Sequence, residues 1–219
     1  NTFTAVSGGN QNNAAGMYAT VGGGICDTAA GNYSAVLGGN HNRAGNMFAF
    51  VGGGQNNTAS GLNAFVGSGK YNKARGNYSV VAGGGGMNEA DSNSAIGDYS
   101  AVGGGYHNIV AGNYGAILGG SSNTITAAGA YSYLFGIGST LTKDSTFMVD
   151  LPHIRFGRES GGYEFPASDG ANGQVMVTNG AGRLSWGIKS DNDWTVSGNN
   201  MYSAVSGNVG IGTSSPAVR

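Results

Sequence analysis

Asn32-Tyr33-Ser34-Ala35-Val36-Leu37-Gly38-Gly39-Asn40-His41-Asn42-Arg43-Ala44-Gly45 is one unit of a repeat. Its central valine recurs at Val6, Val21, Val36, Val51, Val66 and Val81, a step of fifteen residues. Val102 follows a longer unit, Ile117 restores the step, and Leu134 comes after seventeen. Three residues before each stands an aromatic in eight of nine units: Phe3, Tyr18, Tyr33, Phe48, Tyr78, Tyr99, Tyr114 and Tyr131, with Asn63 the exception. A short fixed period in this range is the mark of a chain coiled on itself.

The unit reads as two short strands and two turns. Positions two apart in an extended strand share a face. The small residue two before each valine (Thr4, Ala19, Ser34, Ala49) therefore shares the inner face with it, and the aromatic shares the outer face with the residue just before the valine. Glycine pairs such as Gly8-Gly9, Gly38-Gly39 and Gly104-Gly105 mark corners, where positive φ favours glycine. Six after the valine lies Asn12, Asp27, Asn42, Asn57, Asn72, Asn108 or Asn123. Stacked amides at that phase can bond to the coils above and below, and Asp27 is tolerable there if exposed. The expected fold is all-β, a parallel β-roll or solenoid of about nine fifteen-residue coils, roughly 40 Å long at the spacing of paired strands. Eight rings in register would leave an apolar ladder that calls for association, and a homotrimer suits a columnar coil.

Composition agrees. Glycine accounts for 44 of 219 residues without a collagen period. Regularly placed valines and aromatics argue against a disordered linker. A net charge of −1 with no basic stripe predicts no nucleic-acid partner, and no apolar run is long enough to span a membrane. The chain opens in mid-repeat without a signal peptide, so a fragment of a longer protein is expected. Residues 1–140 hold eight charged side chains and no proline; residues 141–219 hold thirteen, with all three prolines and both tryptophans. That shift predicts roll repeats over 1–140, a β-rich connector over 141–190 and a short β module over 191–219.

The unit Gly-Gly-x-x-Asn-x-Ala-x-Gly-x-Tyr-Ser-x-Val, clearest at Gly53-Gly54-Gln55-Asn56-Asn57-Thr58-Ala59-Ser60-Gly61 and Gly104-Gly105-Tyr106-His107-Asn108, resembles the YadA-like head repeats of trimeric autotransporter adhesins. The likeness covers about residues 1–140; the aromatic and one extra residue per unit depart from the adhesin pattern. Tyr163-Glu164-Phe165-Pro166, Asp169 to Val175, Leu184-Ser185-Trp186-Gly187 and Gly207 to Pro216 resemble modules of bacterial surface proteins and phage tail fibres. These resemblances imply a left-handed roll in an elongated homotrimeric fibre. Its place would be extracellular, on a cell surface or a virion. Its role would be attachment, with extracellular matrix, surface glycan or another cell as partner. A phage tail fibre that recognises host glycan is the alternative.

Chemical motifs are sparse. Gly67-Ser68-Gly69-Lys70-Tyr71 lacks the Ser or Thr and the glycine spacing of a phosphate loop. His41 and His107 share a repeat phase about four coils apart and cannot share a metal, and His153 stands far along the chain. Asp191-Asn192-Asp193 lacks the other ligands of a calcium loop. Cys26 has no nearby histidine by this reading, and no Ser-His-Asp set can be placed. The acidic residues Glu89, Asp91 and Asp98 fall in the one long unit and read as a bulging loop. The sequons at Asn32, Asn56 and Asn77 read as structural. No enzyme activity, metal or cofactor is expected. The residues four and five after the valine vary from coil to coil, which places Lys70, Tyr71, Tyr106 and His107 as candidate ligand contacts.

Overall fold

The computed structural model describes residues 3–151, 154–158, 161–166, 168–188, 194–197 and 200–203. Two compact units divide between Leu151 and Pro152. The first is a parallel β-solenoid with two walls. One wall has ten strands, from Ala5–Val6 and Thr20–Val21 through Ala116–Ser121 and Tyr133–Ile137 to Phe147–Asp150. The other has nine, from Asn13–Ala14 to Thr140–Leu141. Every pairing is parallel, and the regular coils pair in register fifteen residues apart, as in Val21 with Val36 and Ala29 with Ala44. The last strand adds a tenth turn to the nine read from the repeat. Val102 comes late because the segment holding Glu89–Asp91 bulges outward as a single 3-10 turn, while the strands on either side keep their partners.

The core is a thin double row. Val21, Val36, Val51, Val66, Val81 and Val102 of the first wall are fully buried against Ala29, Ala44, Ala59, Ala74 and Ala95 of the second. Val6 lies in the first coil and stays half exposed. Toward the far end the second row grows to Val110, Ile125 and Leu141. Gly115 makes the room, since a Cβ there would press on Val110 Cγ1 at 2.9 Å.

The inner-face assignment holds, but the aromatics do not lie in extended strand. Tyr18, Tyr33, Phe48, Tyr78, Tyr99, Tyr114 and Tyr131 all have φ between 54° and 59°. Each is the third residue of a tight turn, closed for Tyr33 by Ser34 N donating to Gly31 O at 3.2 Å. That position ordinarily takes glycine or asparagine. A left-handed non-glycine residue costs about 1–2 kcal/mol. Stacking offsets part of it, and the turn N–H is satisfied by the coil below, as Tyr33 N is by Met17 O at 2.7 Å. The rings form two stacks rather than one. Phe3, Tyr18, Tyr33 and Phe48 stack at 5.0–5.5 Å, and Tyr78, Tyr99, Tyr114 and Tyr131 at 4.7–4.9 Å. Asn63 stands between them. Phe48 and Tyr78 are 47% and 46% exposed, like doubly covered Tyr33 at 49% and unlike the stack ends Phe3 at 64% and Tyr131 at 58%. The Asn63 coil thus covers both ring faces in place of a ring.

Glycine serves two different needs. Gly39 and its equivalents carry the positive φ expected of a corner. Gly31 does not. It is required because a Cβ there would collide with the backbone of Asn46 in the next coil.

The asparagine ladder is buried beyond half-buried Asn12 of the first coil, and its main partners are glycine carbonyls. Asn57 Nδ2 donates to Gly53 O and Gly69 O, both at 2.8 Å, and Asn57 Oδ1 accepts from Asn72 N at 2.9 Å. Asn12, Asn42, Asn72, Asn93, Asn108 and Asn123 repeat the pair of carbonyl contacts. Asp27 contradicts the expectation of exposure: it is fully buried in this ladder, and its Oδ2 has no hydrogen-bond partner. A second fault follows Asn72, whose Oδ1 is also unpartnered because the bulge displaces the N–H that would reach it.

The second unit consists, among the described residues, of three antiparallel hairpins: Arg155–Arg158 with Gly161–Glu164, Gln174–Thr178 with Leu184–Ile188, and Trp194–Ser197 with Asn200–Ser203. Trp186 Nε1 donates to Ser168 O at 2.6 Å. His153, Asp191-Asn192-Asp193 and the Gly207 to Pro216 resemblance lie outside the described residues.

Candidate functional site

The two positions read as ligand contacts form one edge of the solenoid. Residues five after the valine build a second left-handed ladder: Gln11, Cys26, His41, Asn56, Tyr71, His107 and Ser122 all have φ of 54–57°. After Gln11 in the first coil, each donates its N–H to the coil below, as Tyr71 does to Gln55 O at 3.0 Å and His107 to Asp91 O at 2.9 Å. Left-handed geometry turns these side chains off the walls. Lys70, Tyr106 and His107 are exposed and Tyr71 is half-buried.

The four candidates do not make one patch. Lys70 and Tyr71 lie below the bulged coil, and Tyr106 and His107 lie above it. Between them stands the turn Glu89–Asp91, capped by Asn88 Oδ1 accepting from Ala90 N at 2.9 Å. The bulge is pinned to the second wall by an ion pair of Lys73 with Glu89. The hydrogen bond from Lys73, and then its charge, hold the Glu89 carboxyl below its ordinary value. Asp91 Oδ2 accepts from Met87 N at 3.1 Å, and Asp98 Oδ1 accepts from Asn77 N at 2.8 Å. The three acids are therefore engaged separately, as the bulging-loop reading requires. Asp98 does the work that Asn113 does one coil later, where Oδ1 accepts from Asp98 N.

One reading of the sequence is overturned. Cys26 and His41 are neighbours, occupying the same rung position in consecutive coils, with Ile25 paired to Asn40 just before them. Subtracting fifteen from His41 would have found this. Their side chains diverge: Cys26 Sγ contacts Gln11 Oε1 at 3.1 Å, and His41 Nδ1 contacts Asn40 Oδ1. Among the described residues no cluster of three or more His, Cys, Asp or Glu is placed to hold a metal ion, and no helix is long and apolar enough to cross a membrane.

A larger feature was only half legible in the sequence, which places the residue before each valine on the outer face. The residues flanking each core valine point outward from the first wall and form two uncharged rows. One row is Ala5, Thr20, Ala35, Phe50, Phe65, Val80, Ala101, Ala116 and Tyr133; the other is Ser7, Gly22, Leu37, Gly52, Gly67, Ala82, Gly103, Leu118 and Phe135. Phe50 and Phe65 stack at 5.3 Å, and Leu37 and Leu118 are 56% and 60% exposed. Arg43, Lys73 and Arg75 all lie on or beside strands of the other wall. Fifteen-residue bookkeeping one place either side of the valine carries this signal. No protein-family model and no curated protein matches the chain.

Proposed function

We propose that this chain is a structural and adhesive fibre segment in which copies associate through the first wall's outer face. The observation that carries the reading is the absence of any charged side chain from two rows running nine coils. At 4.8 Å per coil the face is roughly 40 Å long, on the order of 500 Å² of mostly apolar surface, as large as the biggest patches that monomers leave bare. Stacked coils supply stiffness, and exposed residues repeated along the edge supply multivalent weak contact. The resemblance to trimeric adhesin heads favours three copies, on a cell surface or virion. Light scattering tests this directly. A mass of three chains that falls to one in a Leu37→Lys, Leu118→Lys double variant supports the reading; a wild-type monomer ends it.

A tail fibre recognising host glycan draws on a different feature. Phe165, Pro166, Ser168, Asp169, Met176 and Trp186 line an open cleft in the second unit, where aromatic faces sit beside a carboxylate. That mixture suits a sugar ring. Loss of glycan-array binding in Trp186→Ala, without loss of assembly, would favour this second role.

A further inference from the structure

The chain contains two Asn-Gly dipeptides, Asn172-Gly173 and Asn179-Gly180, both in the second unit. In residues 1–151 no asparagine is followed by glycine. Asparagine before glycine is chemically exposed, because no side chain on the next residue shields the backbone nitrogen from the amide carbon.

The two sites differ in restraint. Gly180 N donates to Thr178 Oγ1 at 3.1 Å. Asn179 Oδ1 accepts from Ala181 N at 2.8 Å and from Arg183 N at 3.1 Å, while Asn179 N donates to Arg183 O at 3.1 Å. Both the attacking nitrogen and the amide it would attack are therefore tied. Asn172 and Gly173 occupy the middle of the turn closed by Gln174 N donating to Ala171 O at 3.0 Å, with Ala171 N held by Gln174 Oε1 at 2.7 Å. The restraints fall on the flanks alone. Both central residues are exposed, no hydrogen bond engages the Asn172 side chain or Gly173 N–H, and a Cβ on Gly173 would meet nothing within 4 Å. Gly173 φ is +86°, as the third residue of such a turn requires.

We infer that Asn172 is a selective site of spontaneous modification, cyclising to a succinimide. Gly173 N loses its proton to base and attacks Asn172 Cγ. The new N–C bond forms, the Cγ–Nδ2 bond breaks, and the amide leaves as ammonia carrying the proton. Water then opens either carbonyl of the ring, giving aspartate or isoaspartate and adding one negative charge beside Asp169. No oxidant, metal or enzyme is needed.

The test is incubation of the full chain in mildly alkaline buffer, with fragment-ion mass spectrometry assigning the amide-to-acid mass gain to each asparagine. Asn172 converts roughly thirtyfold faster than Asn179 in the folded chain, a ratio equivalent to about 2 kcal/mol. In denaturant the two rates converge, because the dipeptides are the same. Thr178→Val, which releases Gly180 N, accelerates Asn179 and leaves Asn172 unchanged. Equal rates in the folded chain, a faster Asn179, or conversion seen only in denaturant would each overturn the assignment.

Discussion

One oxygen of Asp27 accepts two hydrogen bonds from Asn42, at 2.7 Å from its backbone nitrogen and 3.1 Å from Nδ2. The other oxygen occupies the place where every asparagine of the ladder puts a donor, and it accepts from nothing. Asp27→Asn would turn that atom into an Nδ2 aimed at Gly23 O and Gly39 O. The expected result is a gain of about 1–3 kcal/mol, the scale of relieving one unsatisfied buried group. Urea denaturation measures it, and an unchanged or lowered midpoint would refute the account of the ladder.

Asn63→Tyr should join the two ring stacks. The site already has φ 53°, within a degree of the range that its aromatic counterparts adopt. Two new ring contacts are worth about 0.5–1.5 kcal/mol each, reduced by the poorer fit of tyrosine to left-handed backbone. A melting temperature no higher than wild type would mean that the Asn63 amide already supplies what a ring would.

Gly31→Ala and Gly23→Ala separate the two needs for glycine. A Cβ at Gly31 would meet Asn46 backbone, which cannot yield without parting the coils, whereas one at Gly23 would meet nothing within 4 Å. About 3 kcal/mol or more of destabilisation is expected at Gly31 and nearly none at Gly23. Comparable losses at both would contradict the packing described.

Acid should loosen the bulge before it unfolds the coils. Because Lys73 depresses the Glu89 carboxyl below its ordinary value, the pair's contribution is intact above the unfolded-state pKa and fades as pH falls through the lower, folded one. The side chain is at the surface, so the effect is local and salt-sensitive. Protection from hydrogen exchange across residues 85–92, taken relative to the intrinsic rate at each pH, should fall on acidification in wild type and be already low, with little further acid response, in Glu89→Gln.

Much of this architecture was legible because side-chain phase repeats while composition drifts. Val36 and Ala44 face inward for the same reason in every coil, and a step of fifteen is enough to say so. What the period could not reveal was backbone conformation. Tyr33 and His41 sit in left-handed turns that their residue types disfavour, so an extended-strand reading misplaced the rings. Asp27 was misread for a related cause: its charge suggested solvent, while its phase, shared with Asn42 and Asn57, dictated burial. The candidate contacts Lys70, Tyr71, Tyr106 and His107 came out on one edge, divided by the bulge that the long unit announced, while the ion pair of Glu89 with Lys73 that pins the bulge is contained in no spacing rule.

Two interruptions fall close together, the missing ring at Asn63 and the missing amide bond above Asn72. In a solenoid each coil is held mainly by its nearest neighbours, so strength is set rung by rung. The missing ring thins the contacts of the Asn63 coil and the missing amide bond those of the next rung, where Tyr78 still stacks on Tyr99 and Lys73 still meets Glu89, so no single rung loses both ladders. Irregularity is thereby spread over neighbouring rungs, and the backbone strands run past the bulge unbroken.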